Sequence, residues 1–316
     1  MSRLLKLAAA AFTVAITLAS CQQRDRDGRP LDTTTSGEIK VAIDESLRPL
    51  MDAELQTFHA LYKRASIEPL YLAEAEAIDA LLNDSVRVAV VTRHLTEEER
   101  AYFEERRLVP RELDVALSAI ALVVHKDNPD TLINTKQLQA LLEGKITRWS
   151  DLGGKNSAGI EIVFDNPNSG LIRQLKDSIA RVDALPANTF AVENNAAVID
   201  YVSQNPNALG LIGLEWISDQ HDSLSNSFLK RIKVMAVAGD SAHFKPYQAY
   251  LALKYYPLAR RITMISREAR AGLGTGFVSF VASEKGQRIV LKSGLVPVTM
   301  PLRVVQVNRS PFEIDR

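Results

Sequence analysis

The strongest constraint on the fold is an alternation of short β-type runs with stretches of helical period. Residues 86–91 are almost wholly apolar and β-branched, which is typical of a strand buried on both faces of a parallel sheet. Strand-like runs over residues 39–43 and 67–72 are each followed by a helical pattern, over residues 50–62 and 75–82. Repeated β–α units of this kind predict an α/β fold in which helices cover the sheet.

The N-terminus has the organisation of a secretion signal. Arg3 and Lys6 precede an apolar run over residues 7–19, which is shorter than the roughly 20 residues that span a bilayer as a helix. The sequence Leu-Ala-Ser-Cys that ends at Cys21 is similar to the lipobox of bacterial lipoproteins, in which the cysteine is acylated. We therefore expect residues 1–20 to be a lipoprotein signal peptide and Cys21 to be the lipid anchor. An ordinary secretion signal with an incidental cysteine is the alternative.

A lipid anchor at Cys21 predicts a protein of the cell envelope, held on the extracytoplasmic side of a bacterial membrane. The polar residues 21–37 have no apolar period and are expected to form a flexible tether. Loss of Arg3 and Lys6 with the signal leaves the mature chain with two net negative charges.

Composition excludes several functional classes. Balanced charge, with 38 basic and 38 acidic residues, gives no basic footprint for nucleic acid. A single cysteine excludes an intramolecular disulfide, a cysteine-based zinc site and a Cys-x-x-Cys redox pair. The five histidines show no metal-ligand spacing, and Ser169 stands in Asn-Ser-Gly rather than in a nucleophile elbow. We therefore expect no metal, no cofactor and no catalytic residues.

Polar residues follow three of the predicted strands, where ligands bind in open α/β sheets. Helix N-termini at such loops present free N–H groups that favour an anion. Each loop has the alternative of simple helix capping. An Asn-rich loop before residues 198–203 is a further candidate. The candidate ligand-binding residues are Ser46, Thr92, Arg93, Asp165, Asn168, Ser169, Gly170 and Asn195.

Three segments carry a resemblance to a known family. Residues 138–152 read LQALLEGKITRWSDL, and an Asn-Ser-Gly turn follows at residues 168–170. Residues 277–297 contain a closing helix and a last strand. Together these segments resemble the periplasmic phosphate-binding proteins of ABC importers, the PstS-like members of the type II periplasmic binding proteins. The resemblance extends from about residue 39 to about residue 297.

The resemblance implies two α/β lobes that are joined by two crossover segments and close on a ligand. The expected divisions are a first lobe over residues 38–118 and 239–316 and a second lobe over residues 119–238. Two long extended segments, residues 113–125 and 232–253, are the expected crossovers.

The implied phosphate site matches this sequence only in part. Ser46 stands near the first phosphate-loop hydroxyl of the family, and Ser169 with the Gly170 amide matches the Ser-Gly of the third loop. The Thr that should follow is Leu171 here, so one hydroxyl donor is missing.

An acid and a base also appear exchanged between the loops. Asp165 stands where the family has Arg, and Thr92-Arg93 stands where the second loop commonly carries Ser-Asp. Arg93 as donor and Asp165 as acceptor would preserve the family's chemistry, since a site carboxylate accepts a proton from phosphate and rejects sulfate. The alternative is that Asp165 only caps a helix and faces solvent.

The resemblance thus predicts a lipid-anchored receptor that captures phosphate or a similar oxyanion and delivers it to an ABC permease. A diverged ligand-sensing or scaffolding protein of the same fold is the main alternative, favoured by the departures at Asp165 and Leu171. A surface phosphoester hydrolase is a further alternative, for which the sequence supplies neither an activated nucleophile nor a metal cluster.

Overall fold

The computed structural model describes residues 32–154, 156–239 and 242–299. The predicted signal peptide and Cys21 lie outside these residues. Within this part of the chain, every helix is too short or too polar to cross a membrane.

Thirteen strands are described: β1 (Ser36–Asp44), β2 (Arg64–Leu72), β3 (Val88–Val91), β4 (Arg111–His125), β5 (Leu132–Asn134), β6 (Glu161–Phe164), β7 (Thr189–Ala191), β8 (Ala208–Gly213), β9 (Ile232–Val234), β10 (Ala236–Ala238), β11 (His243–Phe244), β12 (Ala259–Ser266) and β13 (Val296–Pro297).

The α-helices of the described residues are α1 (Arg48–Leu61), α2 (Glu74–Leu82), α3 (Glu97–Glu105), α4 (Thr135–Leu142), α5 (Gly170–Leu175), α6 (Asn195–Gln204), α7 (Ser223–Leu229), α8 (Gln248–Ala252), α9 (Leu273–Ala282) and α10 (Glu284–Lys292). The predicted strands and helices over residues 39–91 are confirmed, and β1 begins within the last two positions of the expected tether.

One ten-stranded sheet runs through the molecule in the order β2-β1-β3-β12-β4-β8-β6-β7, with β13 and β9 also paired to β4. The first part of β4 pairs with β12 and β13, and its last part pairs with β8 and β9. We call the half with β1–β3, β12 and β13 the first lobe and the half with β6–β9 the second lobe. Strand β4 therefore crosses between the lobes, as predicted for residues 113–125.

The predicted second crossover, residues 232–253, is not a single extended segment. This segment forms the short strands β9, β10 and β11 and the helix α8. Gly239 and Pro246 interrupt the apolar pattern, and proline cannot continue a strand ladder because it lacks an N–H. Strand β9 pairs with β4 in the second lobe, whereas Gln248 of α8 donates to the Leu291 and Leu295 carbonyls of the first lobe, so the chain passes between the lobes within this segment.

The core explains why the sheet forms where it does. All four residues of β3 are buried, and β3 lies between β1, to which it is parallel, and β12, to which it is antiparallel. The wholly apolar run predicted this burial on both faces. The carboxyl ends of β1, β2, β3, β6 and β8 then lie at the boundary of the two lobes, and their loops carry the polar residues described next.

Candidate functional site

The loop after β1 contributes a buried carboxylate to the boundary between the lobes. Asp44 is fully buried and caps a 3-10 turn over Glu45–Leu47. Its Oδ1 accepts hydrogen bonds from the Ser46 main-chain N (2.9 Å) and from Ser46 Oγ (2.6 Å). The predicted donor Ser46 therefore lies in the cleft, but its hydroxyl donates to Asp44.

The loop after β2 contributes a second buried carboxylate, Glu74, at the first position of α2. One of its oxygens accepts from the Thr92 main-chain N (2.7 Å) and from Thr92 Oγ1 (2.5 Å). The other accepts from Arg173 Nε (2.5 Å) on α5, across the boundary between the lobes. Sequence reasoning did not select Glu74, because an acid in the first turn of a helix is a common helix-stabilising feature.

Arg93 lies at the rim of this cluster and is held by another acid. Its guanidinium forms two hydrogen bonds of 2.7 Å with Glu99, while its Nε is 3.7 Å from Glu74. Glu99 also completes the predicted capping box, because it accepts from the Thr96 N–H while Thr96 Oγ1 accepts from the Glu99 N–H.

The loop after β6 faces the first lobe. The Gly170 N–H donates to Asp44 Oδ2 (3.2 Å), and Ser169 Oγ accepts from the Ile172 N–H (3.5 Å) as the N-cap of α5. Asn168 is exposed, and its main-chain carbonyl accepts from the Ala75 N–H (3.3 Å) in the first lobe. The structure thus brings Gly170 to the centre of the site and leaves the Asn168 side chain outside it.

Asp165 is not the solvent-facing cap of the alternative reading, and its role as a ligand acceptor stays a prediction. It is only 2% exposed, so a solvent-facing cap is excluded, and the cap of α5 is Ser169. It also does not share a partner with Arg93, because Asp165 Oδ2 accepts from Asn195 Nδ2 (3.1 Å) whereas Arg93 is bound to Glu99.

Asn195 bridges the lobes beneath the loops. Its Nδ2 donates to Glu45 Oε2 (2.7 Å) as well as to Asp165, and its Oδ1 accepts from the Gly213 N–H (2.8 Å) at the end of β8. The structure therefore places the predicted Asn195 side chain in the site. Its hydrogen-bond partners there are protein groups.

A buried ion pair lies deeper in the cleft. Arg260 of β12 donates through Nη2 to Glu215 Oε2 at 2.9 Å, and both side chains are at most 1% exposed. Nε and Nη1 of Arg260 have no hydrogen-bond partner among the described residues. Neither residue was predicted, since an isolated charge in an apolar run carries no distinctive spacing.

The carboxylates titrate differently because their partners differ. Burial, reinforced by the Glu74 charge, raises the pKa of Asp44 to about 7. Burial also raises the pKa of Asp165 to about 6 and raises that of Glu45. Burial alone would raise the pKa of Glu74, but Arg173 and Thr92 outweigh it and hold that pKa below its usual range. Glu74 is thus ionised, whereas Asp44 is poised to carry a proton near neutrality.

Gly170 brings the start of α5 against three polar side chains of the first lobe. A Cβ atom at this position would lie 2.5 Å from Thr92 Oγ1, 2.6 Å from Glu74 Oε2 and 2.8 Å from Asp44 Oδ2. A side chain here would force at least one of these groups to move.

Two cavities open beside the cluster, and both are lined by Arg93 and Arg173. The larger, of about 530 Å³, is also lined by His94 and Arg261; the smaller, of about 230 Å³, is also lined by Glu74 and Lys176. Within the residues that the structure describes, no group of three or more His, Cys, Asp or Glu is arranged to hold a metal ion.

Chemically, the arrangement holds negative oxygen atoms. The Thr92 N–H and hydroxyl, the Gly170 N–H and the Arg173 guanidinium point at carboxylate oxygens, and they come from both lobes. We call these donors the anion cradle. Main-chain N–H groups and a guanidinium are the groups that bind phosphate and carboxylate in proteins.

Comparison with known proteins agrees with the sequence and the fold. A family model described as a PBP superfamily domain matches residues 29–285. The phosphate-binding protein PstS of Pseudomonas aeruginosa is 24% identical over 290 residues, which cover 86% of this chain and 85% of that protein. The PstS protein of Bacillus subtilis is 23% identical over 279 residues, which cover 88% of this chain and 86% of that protein.

Solved structures show the same architecture. A Clostridium perfringens protein described as a phosphate ABC transporter substrate-binding protein with bound phosphate is 25% identical, with a TM-score of 0.70 over 83% of this chain and 100% of that one. An ABC-type phosphate transport receptor from Vibrio cholerae is 20% identical. Its TM-score is 0.64 over 83% of this chain and 100% of that one. The predicted fold class, two α/β lobes of the type II periplasmic binding protein kind, is therefore confirmed.

Proposed function

Because the chain belongs to the PBP superfamily, we propose that it is an extracytoplasmic solute-binding protein that captures phosphate or a similar oxyanion between its lobes for an ABC importer. The relatives from Pseudomonas aeruginosa and Bacillus subtilis are both named phosphate-binding proteins. The related structure from Clostridium perfringens is described with phosphate bound. The proposed role is capture of a solute, not catalysis.

The observation that carries this proposal is the anion cradle. Its donors already hold carboxylate oxygens at hydrogen-bond distances of 2.5–3.2 Å. Phosphate and similar oxyanions bind to the same donors as a carboxylate, since both present partly charged oxygens that accept hydrogen bonds. Because the donors come from Thr92 in the first lobe and from Gly170 and Arg173 in the second, a bound anion would join the lobes.

The neighbouring acids favour an anion that carries a proton. Asp44 accepts from the Gly170 N–H of the cradle, and Asp165 lies close enough to act on the charge of Asp44. Phosphate retains a proton at neutral pH and can donate it to a carboxylate, whereas sulfate has none to donate. We therefore infer selectivity for phosphate over sulfate, with the acceptor role assigned to Asp44.

Capture would proceed by a shift between open and closed arrangements of the lobes. Only the closed arrangement brings the donors of both lobes to one anion, so the anion binds it better and increases its population. The closed form would then be the one that an ABC permease recognises.

Titration calorimetry and thermal melting with phosphate, sulfate, molybdate and a sugar phosphate test the proposal. Phosphate, up to tens of millimolar, is expected to release or absorb heat and to raise the melting temperature, as any ligand of the native state does. Thr92→Val and Arg173→Gln should each weaken this response, while Arg231→Gln, on an exposed ion pair outside the site, serves as the control. The absence of heat and of a melting shift with phosphate would contradict the proposal.

The lipid anchor is part of the proposal and rests on Cys21 alone. Cys21→Ser is expected to move the protein from the membrane fraction of its host to the soluble extracytoplasmic fraction. Unchanged membrane association would assign the attachment to another part of the chain.

One observation favours a second candidate, a diverged sensor or scaffold of the same fold. The cradle donors are already satisfied by Asp44 and Glu74, so the chain has its own acceptors where a ligand would bind. In that case no anion of the panel binds in the wild type or in variants that lack these acids.

A further inference from the structure

We propose that Glu74 is an internal competing ligand: its carboxylate occupies the anion cradle, holds the two lobes together, and must leave before phosphate binds. The inference rests on the proposed function, because it assigns to this side chain control over the affinity of that same site.

The first ground is the number and kind of contacts that Glu74 makes. Both of its oxygens are used, one by the main-chain N–H and hydroxyl of Thr92 and the other by the Arg173 guanidinium. The side chain is 2% exposed. One buried carboxylate thus accepts from a main-chain amide, a hydroxyl and a guanidinium. This is the set of donors expected for a bound oxyanion.

The second ground is that these contacts join the lobes. Glu74 starts α2 in the first lobe, and Arg173 belongs to α5 in the second. The neighbouring Ala75 N–H donates to the Asn168 carbonyl, and Asp44 accepts from the Gly170 N–H, so three links converge at this point. A ligand that closes the lobes would make links of the same kind.

The third ground is the lack of room for a second anion. The Cβ position of Gly170 is already within 3.0 Å of oxygen atoms of Thr92, Glu74 and Asp44. A tetrahedral anion with four oxygens does not fit among these groups while the Glu74 carboxylate is there. Placing it beside the ionised carboxylate would also bring like charges into contact in a buried site.

The structure also contains a place to which Glu74 can move. The cavity of about 230 Å³ is lined by Glu74 together with Arg93, Arg173 and Lys176. Arg93 Nε is already 3.7 Å from Glu74. A change of side-chain rotamer toward this cavity would pair the carboxylate with Arg93 and leave the Thr92 donors and Arg173 to phosphate.

The test is the phosphate affinity of Glu74→Ala, measured by calorimetry at pH 7 beside the wild type. If Glu74 fills the cradle in 90–99% of molecules, the wild type binds about 10- to 100-fold more weakly than the intrinsic site, and E74A recovers that factor. Glu74→Gln, which keeps the shape of the side chain, should recover part of it. Glu76→Gln is the matched control, because it removes the same charge from an exposed position of the same helix.

Small-angle scattering gives a second readout that does not depend on affinity. Without phosphate, E74A should have a larger radius of gyration than the wild type, and phosphate should contract E74A more than the wild type, because Glu74 already holds most wild-type molecules closed. E74Q and the E76Q control should melt cooperatively, which shows that the fold survives the removal of each charge.

The outcomes separate this inference from the proposed function. If the wild type binds phosphate as tightly as E74A, the internal ligand is overturned and the phosphate receptor stands. If neither protein binds phosphate, the receptor proposal fails and competition with phosphate fails with it; an expanded E74A would then show only that Glu74 holds the lobes together.

Discussion

At the residue scale, Asp44 and Glu74 show how partners decide the charge of a buried acid. Both accept hydrogen bonds in the cleft, but only Glu74 has a guanidinium, from Arg173, at 2.5 Å. Its pKa therefore falls, while burial and the Glu74 charge raise the pKa of Asp44 to about 7. The site thus combines one fixed negative charge with one proton acceptor near neutrality.

A third acid, Glu54 on α1, has no such role and should destabilise the protein. It is 0% exposed, neither carboxylate oxygen has a hydrogen-bond partner among the described residues, and burial raises its pKa to about 9. The pKa of Glu54 is higher in the folded protein than in the unfolded chain. Its contribution to stability is therefore complete below about pH 4.5 and is lost as pH rises through about 9.

Glu54→Met is therefore expected to stabilise the protein at pH 8 by about 1–3 kcal/mol, since an apolar side chain of similar size replaces an unpaired acid. Urea unfolding at pH 5 and pH 8 measures this, and the gain should be smaller at pH 5. Gln56→Met, at an exposed position of the same helix, is the control. An equal gain at both pH values would show that folding does not raise the pKa of Glu54.

Sequence patterns located the loops of the site better than its side chains. Ser46, Thr92 and Gly170 follow strand ends, a position that the alternation of strands and helices reveals directly. Glu74, Arg173 and the Glu215–Arg260 pair were missed, because a helical or apolar pattern does not say which charged side chain turns inward. The ligand contacts proposed for the predicted residues remain predictions.

At the scale of elements, the start of α5 limits how closely the lobes approach. Gly170→Ala would place a methyl group within 3.0 Å of three oxygen atoms from the first lobe. Such overpacking costs about 1–3 kcal/mol, which corresponds to roughly 5- to 150-fold in phosphate affinity if binding requires closure.

Calorimetry on Gly170→Ala, together with scattering, checks this expectation. Gly159→Ala is the control, because the nearest atom to its Cβ position is at an ordinary 3.7 Å. Phosphate affinity equal to that of the wild type would mean that the ligand does not bind between Gly170 and the first lobe.

The elements themselves were largely predictable, but their pairing was not. The strands β1, β2 and β3 follow from apolar runs, and the capping box at Thr96 and Glu99 marks the start of α3. Strand β12 inserts between β3 and β4 and is antiparallel to both. This pairing depends on contacts between residues more than 100 positions apart. Local periodicity carries no information about such pairs, and for the same reason it predicted one extended segment over residues 232–253, where the structure has three short strands and a helix.

At the scale of the whole molecule, the Arg260–Glu215 pair joins the lobes beneath the site. Arg260→Met would leave Glu215 buried without a counter-ion, at a cost of about 3–5 kcal/mol in the free energy of unfolding. Adding Glu215→Met should recover most of this loss, because two apolar side chains then replace two charges.

Denaturant unfolding of the two single variants and the double variant measures this coupling. Arg231→Ala, which breaks an exposed pair with Asp200, should cost no more than about 1 kcal/mol. Equal costs for Arg260→Met and Arg231→Ala would show that the buried pair does not support the fold.

Strand β4 has a consequence for how the protein unfolds. Its 15 residues are hydrogen-bonded to β12 and β13 at one end and to β8 and β9 at the other, so neither lobe keeps its sheet if the other melts. We expect a single calorimetric transition whose van't Hoff enthalpy equals the calorimetric one, and the slowest amide exchange in the middle of β4. Two resolved transitions would mean that the lobes melt as independent units; a single one, with the slowest exchange in β4, would mean that the strand joining the lobes is also the last to open.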